Sequence, residues 1–110
     1  MKNLIRLALV ALVALPAGAQ TFKNVPVVDT NCSRRVAANP DSHTRDCALK
    51  CAGSGFGIIT SDNQYLKFDD AGNQKILSQL KSTKESDHLR VNVSGTVKGD
   101  TIQVTSVKLL

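Results

Sequence analysis

All three cysteines of the chain, Cys32, Cys47 and Cys51, fall in one short stretch, with Asp29 three residues before the first and His43 four residues before the second. Thiols, an imidazole and a carboxylate at this density can cross-link the chain, hold a metal ion or supply a nucleophile. Cys47 and Cys51 are four apart, so on a helix they share one face, one turn from each other, and His43 shares that face too.

A disulfide is the first of these chemistries. In an oxidising compartment two of three cysteines are expected to pair. A bridge from Cys32 to Cys47 or Cys51 closes a short loop and stabilises a small domain by about 3 kcal/mol. A bridge between Cys47 and Cys51 themselves fits the required torsion poorly on a regular helix. The third cysteine is then a small buried hydrophobe beside Ala48 and Ala52. The second chemistry is a metal site. Thiolates from Cys32, Cys47 and Cys51 suit zinc or monovalent copper, with Asp29 or His43 as candidate fourth ligand. His43, Cys47 and Cys51 together span roughly 12 Å of helix, so His43 is the weakest candidate and reads more simply as a solvated first-turn residue. The third chemistry is a reactive thiol, left over by the odd number of cysteines. It has the least support, because there is no C-x-x-C and Cys47 is not at the helix N-terminus, where a dipole would lower its pKa.

These residues need a strand that ends near Asp29 and a helix that carries the cysteine pair. Residues 21–29, with Val25, Val27 and Val28 around Pro26, read as a strand whose proline marks an edge or a bulge. Asn39-Pro40-Asp41-Ser42 has the capping residue, first-turn proline and acid of a helix start. It predicts a helix to about residue 52, stopped by Gly53. A hairpin follows, with strands at 56–61 and 65–68 around Asp62-Asn63. Asp69-Asp70 cap a second helix over 71–83, with Ile76, Leu77 and Leu80 as its apolar stripe. Leu89, Val91 and Val93 then alternate with Arg90, Asn92 and Ser94, and Lys98-Gly99-Asp100 is turn chemistry. Ile102 and Val104 share one parity, Val107 and Leu109 the other, so one pair would face outward on a regular strand. A β-bulge near Thr105-Ser106 restores both to the core. The whole predicts a mainly β domain with two helices: a five-stranded OB-like barrel with a helical insertion after the first strand. The alternative is an open antiparallel α+β sheet with both helices on one face.

The first nineteen residues have the three parts of a cleavable secretory signal: Lys2 and Arg6, an apolar run at 7–15, and Ala17-Gly18-Ala19 after Pro16. The run is too short to span a bilayer, which takes about 20 apolar residues. The expectation is a signal peptide over 1–19 and a single OB-like domain over 20–110, periplasmic or secreted. Without Lys2 and Arg6 the 14 basic residues fall to 12 against 9 acidic ones, and the net charge falls from +5 to +3. So mild a charge, on an exported chain, argues against nucleic acid as a partner.

Val28-Asp29-Thr30-Asn31-Cys32, Asp46-Cys47-Ala48-Leu49-Lys50-Cys51 with Gly55 after it, Val91-Asn92-Val93-Ser94-Gly95-Thr96 and Thr101-Ile102-Gln103-Val104-Thr105-Ser106-Val107 form a set. Together they resemble a group of small exported bacterial proteins of unassigned function. These carry D-x-x-C, then C-x-x-x-C-x-x-x-G, then an OB-like V-x-V-x-G-T … I-x-V-x-S-[IV] ending. The resemblance covers most of the chain after the leader. It implies the barrel and a cysteine trio acting as one unit, and it implies no catalytic activity.

OB barrels bind ligands on an exposed face with aromatic and basic side chains. Tyr65, Lys67 and Arg90 are the candidates for such a face, against the plainer alternative of a solvated sheet surface. Enzyme signatures are missing: Ser54 is a turn residue between Gly53 and Gly55, Asp69 and Asp70 are helix caps, and His88 has no evident partner. The expectation is therefore an exported, cysteine-stapled, non-enzymatic binding or structural module without a cofactor, acting on a protein, a polymer or a small ligand. It would be a monomer or a disulfide-linked dimer and would not span a membrane. The alternative is a small periplasmic metal-binding protein that uses its three cysteines for copper or zinc.

Overall fold

Alternation of apolar and polar residues after Leu89 makes a strand with one buried face, and the rest of the barrel closes on it. The computed structural model describes residues 19–110. The expected leader therefore lies outside the described residues, apart from Ala19, which opens the first strand. The strands are β1 (Ala19–Asp29), β2 (Phe56–Ile59), β3 (Tyr65–Phe68), β4 (Arg90–Lys98) and β5 (Thr101–Leu109). They close into a barrel in the order β1-β2-β3-β5-β4. Strands β3 and β5 pair in parallel, and every other neighbouring pair is antiparallel. This is the OB-like barrel, and closure removes the open-sheet alternative.

Two irregularities let short strands curve into a barrel. On β5, Ser106 faces Ser94 but Val104 faces Gly95, so Thr105 is the extra residue. The bulge resets the parity, and Ile102, Val104 and Val107 all point into the core. Across from it, a Cβ on Gly95 would lie 2.2 Å from the Gln103 carbonyl oxygen, so only glycine lets the two backbones close here. On β1 the register shifts between Phe22 and Val25, around Asn24 at φ 53° and just before Pro26. Beyond that point β1 changes partner: Ala19 to Pro26 pair with β4, and Val27 to Asp29 pair with β2.

Between β3 and β4 runs the long helix, Asp70–Ser82. Asp69 caps it by accepting from the Gly72 amide, and the same oxygen also accepts from the Val104 amide. Ile76 and Leu80 are fully buried in the barrel core, and burial of each contributes about 1.5–3 kcal/mol. Gln79 ties the helix to β5, donating to the Val107 carbonyl and accepting from the Leu109 amide. No helix among the described residues is long and apolar enough to cross a membrane.

The insertion between β1 and β2 differs from the single helix expected over 39–52. It consists of a 3₁₀ turn at Thr30–Cys32, α1 (Ser33–Val36), a 3₁₀ turn at Pro40–Ser42, α2 (Arg45–Lys50) and a 3₁₀ turn at Ala52–Ser54, which makes Asp70–Ser82 α3. The Asn39-Pro40 start forms one turn and stops. His43 is extended at ψ 133°, and Thr44 is the working N-cap, accepting from the Cys47 amide. The segment packs against the barrel through Ala48 of α2, and Arg45 donates to the Leu80 carbonyl of α3. Val28 is fully buried although its neighbour Val27 faces the core, so the end of β1 is covered on both faces.

Candidate metal centre

The D-x-x-C spacing has a local cause. Asp29 ends β1 in an extended conformation and caps the turn that follows: its Oδ2 accepts from the Cys32 amide at 3.0 Å. A capping side chain reaches the amide three residues on, and that reach sets the Cys32 side chain beside the carboxylate. Asp29 is fully buried and Cys32 is 5 % exposed.

Cys51 arrives from the other end of the insertion. It is the C-cap of α2, at φ −101° and ψ 19°, where the helix gives way to a 3₁₀ turn. One hydrogen bond closes this turn on itself and two stitch it to the one carrying Cys32. The Ser54 hydroxyl donates to the Cys51 carbonyl at 2.7 Å and accepts from the Asn31 amide at 3.1 Å. The Thr30 amide donates to the Gly55 carbonyl at 2.8 Å. One carboxylate oxygen of Asp29 and the sulfurs of Cys32 and Cys51 consequently lie within 4.8 Å of one another.

A second ring of polar groups surrounds these three. His43 donates from Nε2 to Asp29 Oδ1 at 2.6 Å, since the carboxylate can only accept. Its burial, at 7 % exposed, corrects the expectation of a solvated residue: the break at His43 frees the imidazole from the helix and turns it inward to Asp29. Arg35 Nη2 donates to Cys32 Sγ at 3.1 Å, and Asn31 Nδ2 donates to Cys51 Sγ at 3.5 Å. The Arg35 hydrogen bond pulls the Cys32 thiol down, but desolvation and the negative charge of Asp29 outweigh it and the net shift is upward.

The disulfide staple is overturned. Cys32, Cys47 and Cys51 are all free. The Cys32 and Cys51 sulfurs share a site without standing at the roughly 2.05 Å of a disulfide. Cys47 is exposed on α2 and lies outside the cluster. The shared helix face does not unite the pair in one site: the Cys51 amide still donates to the Cys47 carbonyl at 3.2 Å, yet the Cys47 side chain is exposed while the Cys51 sulfur lies beside Asp29 and Cys32. The disulfide-linked dimer falls with the staple, since there is no disulfide for it to rest on.

Of the five residues expected at the site, Asp29, Cys32 and Cys51 come together, His43 supports Asp29 from behind, and Cys47 is left outside. Arg35 and Asn31 escaped the sequence reading. The one signal for Arg35 was its position three residues after Cys32, a single turn away. The three residues expected on a ligand face have separate engagements. Tyr65 shares a 2.8 Å hydrogen bond with the hydroxyl of Thr30, the residue after Asp29. Its ring lies over Gly57, where a Cβ would come within 2.7 Å of it. Burial pushes the Tyr65 hydroxyl up to about 12, against the opposing Thr30 hydrogen bond. Arg90 grips both carboxylate oxygens of Asp41 and the Asn24 carbonyl. Lys67 Nζ stands 3.9 Å from Asp100 in solvent. No protein-family model, no curated protein and no solved structure matches the chain.

Proposed function

We propose that this chain is a small exported bacterial metal-binding protein whose Asp29, Cys32 and Cys51 take up zinc or monovalent copper. The observation that carries the reading is the convergence of a carboxylate oxygen and two cysteine sulfurs within 4.8 Å. Thiolates are the donors of thiophilic ions, and the partners on Asp29, Cys32 and Cys51 are of the kind that orient metal ligands. The activity assigned is binding, with no catalytic step. The leader-like first nineteen residues support work in the periplasm or outside the cell. The D-x-x-C … C-x-x-x-C-x-x-x-G pattern supports membership of the exported group that it resembles.

The test is a native mass of protein isolated from the periplasm, followed by denaturation and alkylation without reductant. Expected are a mass heavier by one metal ion, three blocked thiols and an N-terminus at Gln20. Cys32→Ser or Cys51→Ser abolishes the added mass, whereas Cys47→Ser retains it. A metal-free mass that persists after equilibration with zinc, and with monovalent copper under anaerobic conditions, overturns the metal reading. A retained leader overturns export.

A further inference from the structure

Resting on that reading, we infer that the ion is divalent zinc, held by three protein ligands only, with its fourth position open to an exogenous donor such as water or a partner's imidazole. The donor set is the first argument. Two thiolates satisfy monovalent copper, which gains little from a hard carboxylate oxygen. Borderline zinc accepts sulfur and carboxylate ligands together.

Charge is the second argument. Bound thiolates of Cys32 and Cys51 and the carboxylate of Asp29 carry three negative charges. At equal distance these ligands attract a divalent ion about twice as strongly as a monovalent one, and the full burial of Asp29 leaves little solvent to screen that difference.

Geometry is the third argument. Zinc–sulfur bonds of about 2.3 Å at the tetrahedral angle put two sulfurs roughly 3.8 Å apart. From within 4.8 Å, the sulfurs reach that separation by side-chain adjustment of about an ångström or less. Among the described residues no fourth histidine, cysteine or carboxylate joins the cluster. The His43 Nε2 proton is committed to Asp29, and Cys47 faces solvent. Cys51 is half-buried and its neighbour Asn31 is exposed, so the centre opens on that side.

Cobalt(II), which occupies zinc sites and reports their ligands in its visible spectrum, tests the open position on the unaltered protein. Expected are a thiolate-to-cobalt charge-transfer band, a tetrahedral ligand-field spectrum that shifts on adding imidazole, and no change of either in Cys47→Ser. A spectrum indifferent to imidazole but altered by Cys47→Ser makes Cys47 the fourth ligand and overturns the open position. Chelator competition with Asp29→Asn tests the ion. The near-isosteric amide still accepts from the Cys32 amide. It should weaken zinc at least tenfold, as loss of even an outer-sphere partner does, and leave the affinity for monovalent copper unchanged. Equal losses for both ions, or none for zinc, overturn the choice of zinc while leaving metal binding intact. Wild-type protein that takes up none of the three ions overturns the metal reading itself.

Discussion

Replacing His43 by alanine probes the contact that ties the insertion to the barrel. The imidazole is 7 % exposed, the carboxylate it serves is fully buried, and the two are 2.6 Å apart. Taking a hydrogen-bond donor away from a buried carboxylate costs about 3 kcal/mol or more, because the desolvated group is left short of compensation. Asp29 keeps the Cys32 amide on its second oxygen, so the lower end applies, about 3 kcal/mol. For a domain of this size that corresponds to a fall in Tm of about 12–24 °C. Thermal and urea unfolding of the metal-free protein measure it, and the companion variant Asp29→Asn isolates its cause. An amide left unpaired is cheaper to bury than a carboxylate. The double variant should therefore lose about 1.5 kcal/mol less than the sum of the single losses, a coupling typical of residues in contact. A His43→Ala loss below about 1 kcal/mol together with additive effects would refute the claim that this pair organises the site.

Three other outcomes follow from the same structure. Tyr65 is the only tyrosine and there is no tryptophan, so alkaline difference absorbance reports this residue alone and should give a midpoint near 12. Because the fold raises that value above the unfolded 10, Tyr65 leaves stability untouched below about pH 10 and lowers it as pH climbs toward 12, where the unfolded chain ionises first; a midpoint near 10 means the ring is not buried. Arg90, through its hydrogen bonds, holds the Asp41 carboxyl below the usual carboxylate range. Asp41→Asn should then cost about 1 kcal/mol at neutral pH, with the difference from wild type present above the unfolded value near 4 and lost as pH falls through the lower folded one, as acid-dependent urea midpoints would record. Gly57→Ala places a Cβ 2.3 Å from the Leu66 carbonyl oxygen and 2.7 Å from the Tyr65 ring, so it should destabilise by about 3 kcal/mol and lower the Tyr65 midpoint as the ring is displaced, whereas a variant of wild-type stability contradicts the close packing of β2 on β3.

Much of the barrel could be read in advance because its determinants are local. The alternation of Leu89, Val91 and Val93 selects a face, the changed parity between Val104 and Val107 demands the bulge found at Thr105, and Asp69 announces α3. Each of these acts within a few residues, where side-chain reach and backbone period leave few choices. The nearness of Asp29 to Cys32 belongs to the same class, a cap bond three residues long. The rest of the centre does not. The pattern at Asn39-Pro40 predicts an uninterrupted helix, and the chain breaks it at His43 for a partner fourteen positions away on β1. Cys51 comes to Cys32, rather than to Cys47 in its own helix, because Ser54 and Gly55 bond to the turn that follows β1. Composition and spacing therefore determined which donors were at hand and which barrel would carry them. Which donors meet was decided by hydrogen bonds between segments distant along the chain, whose geometry exists only once the barrel has closed.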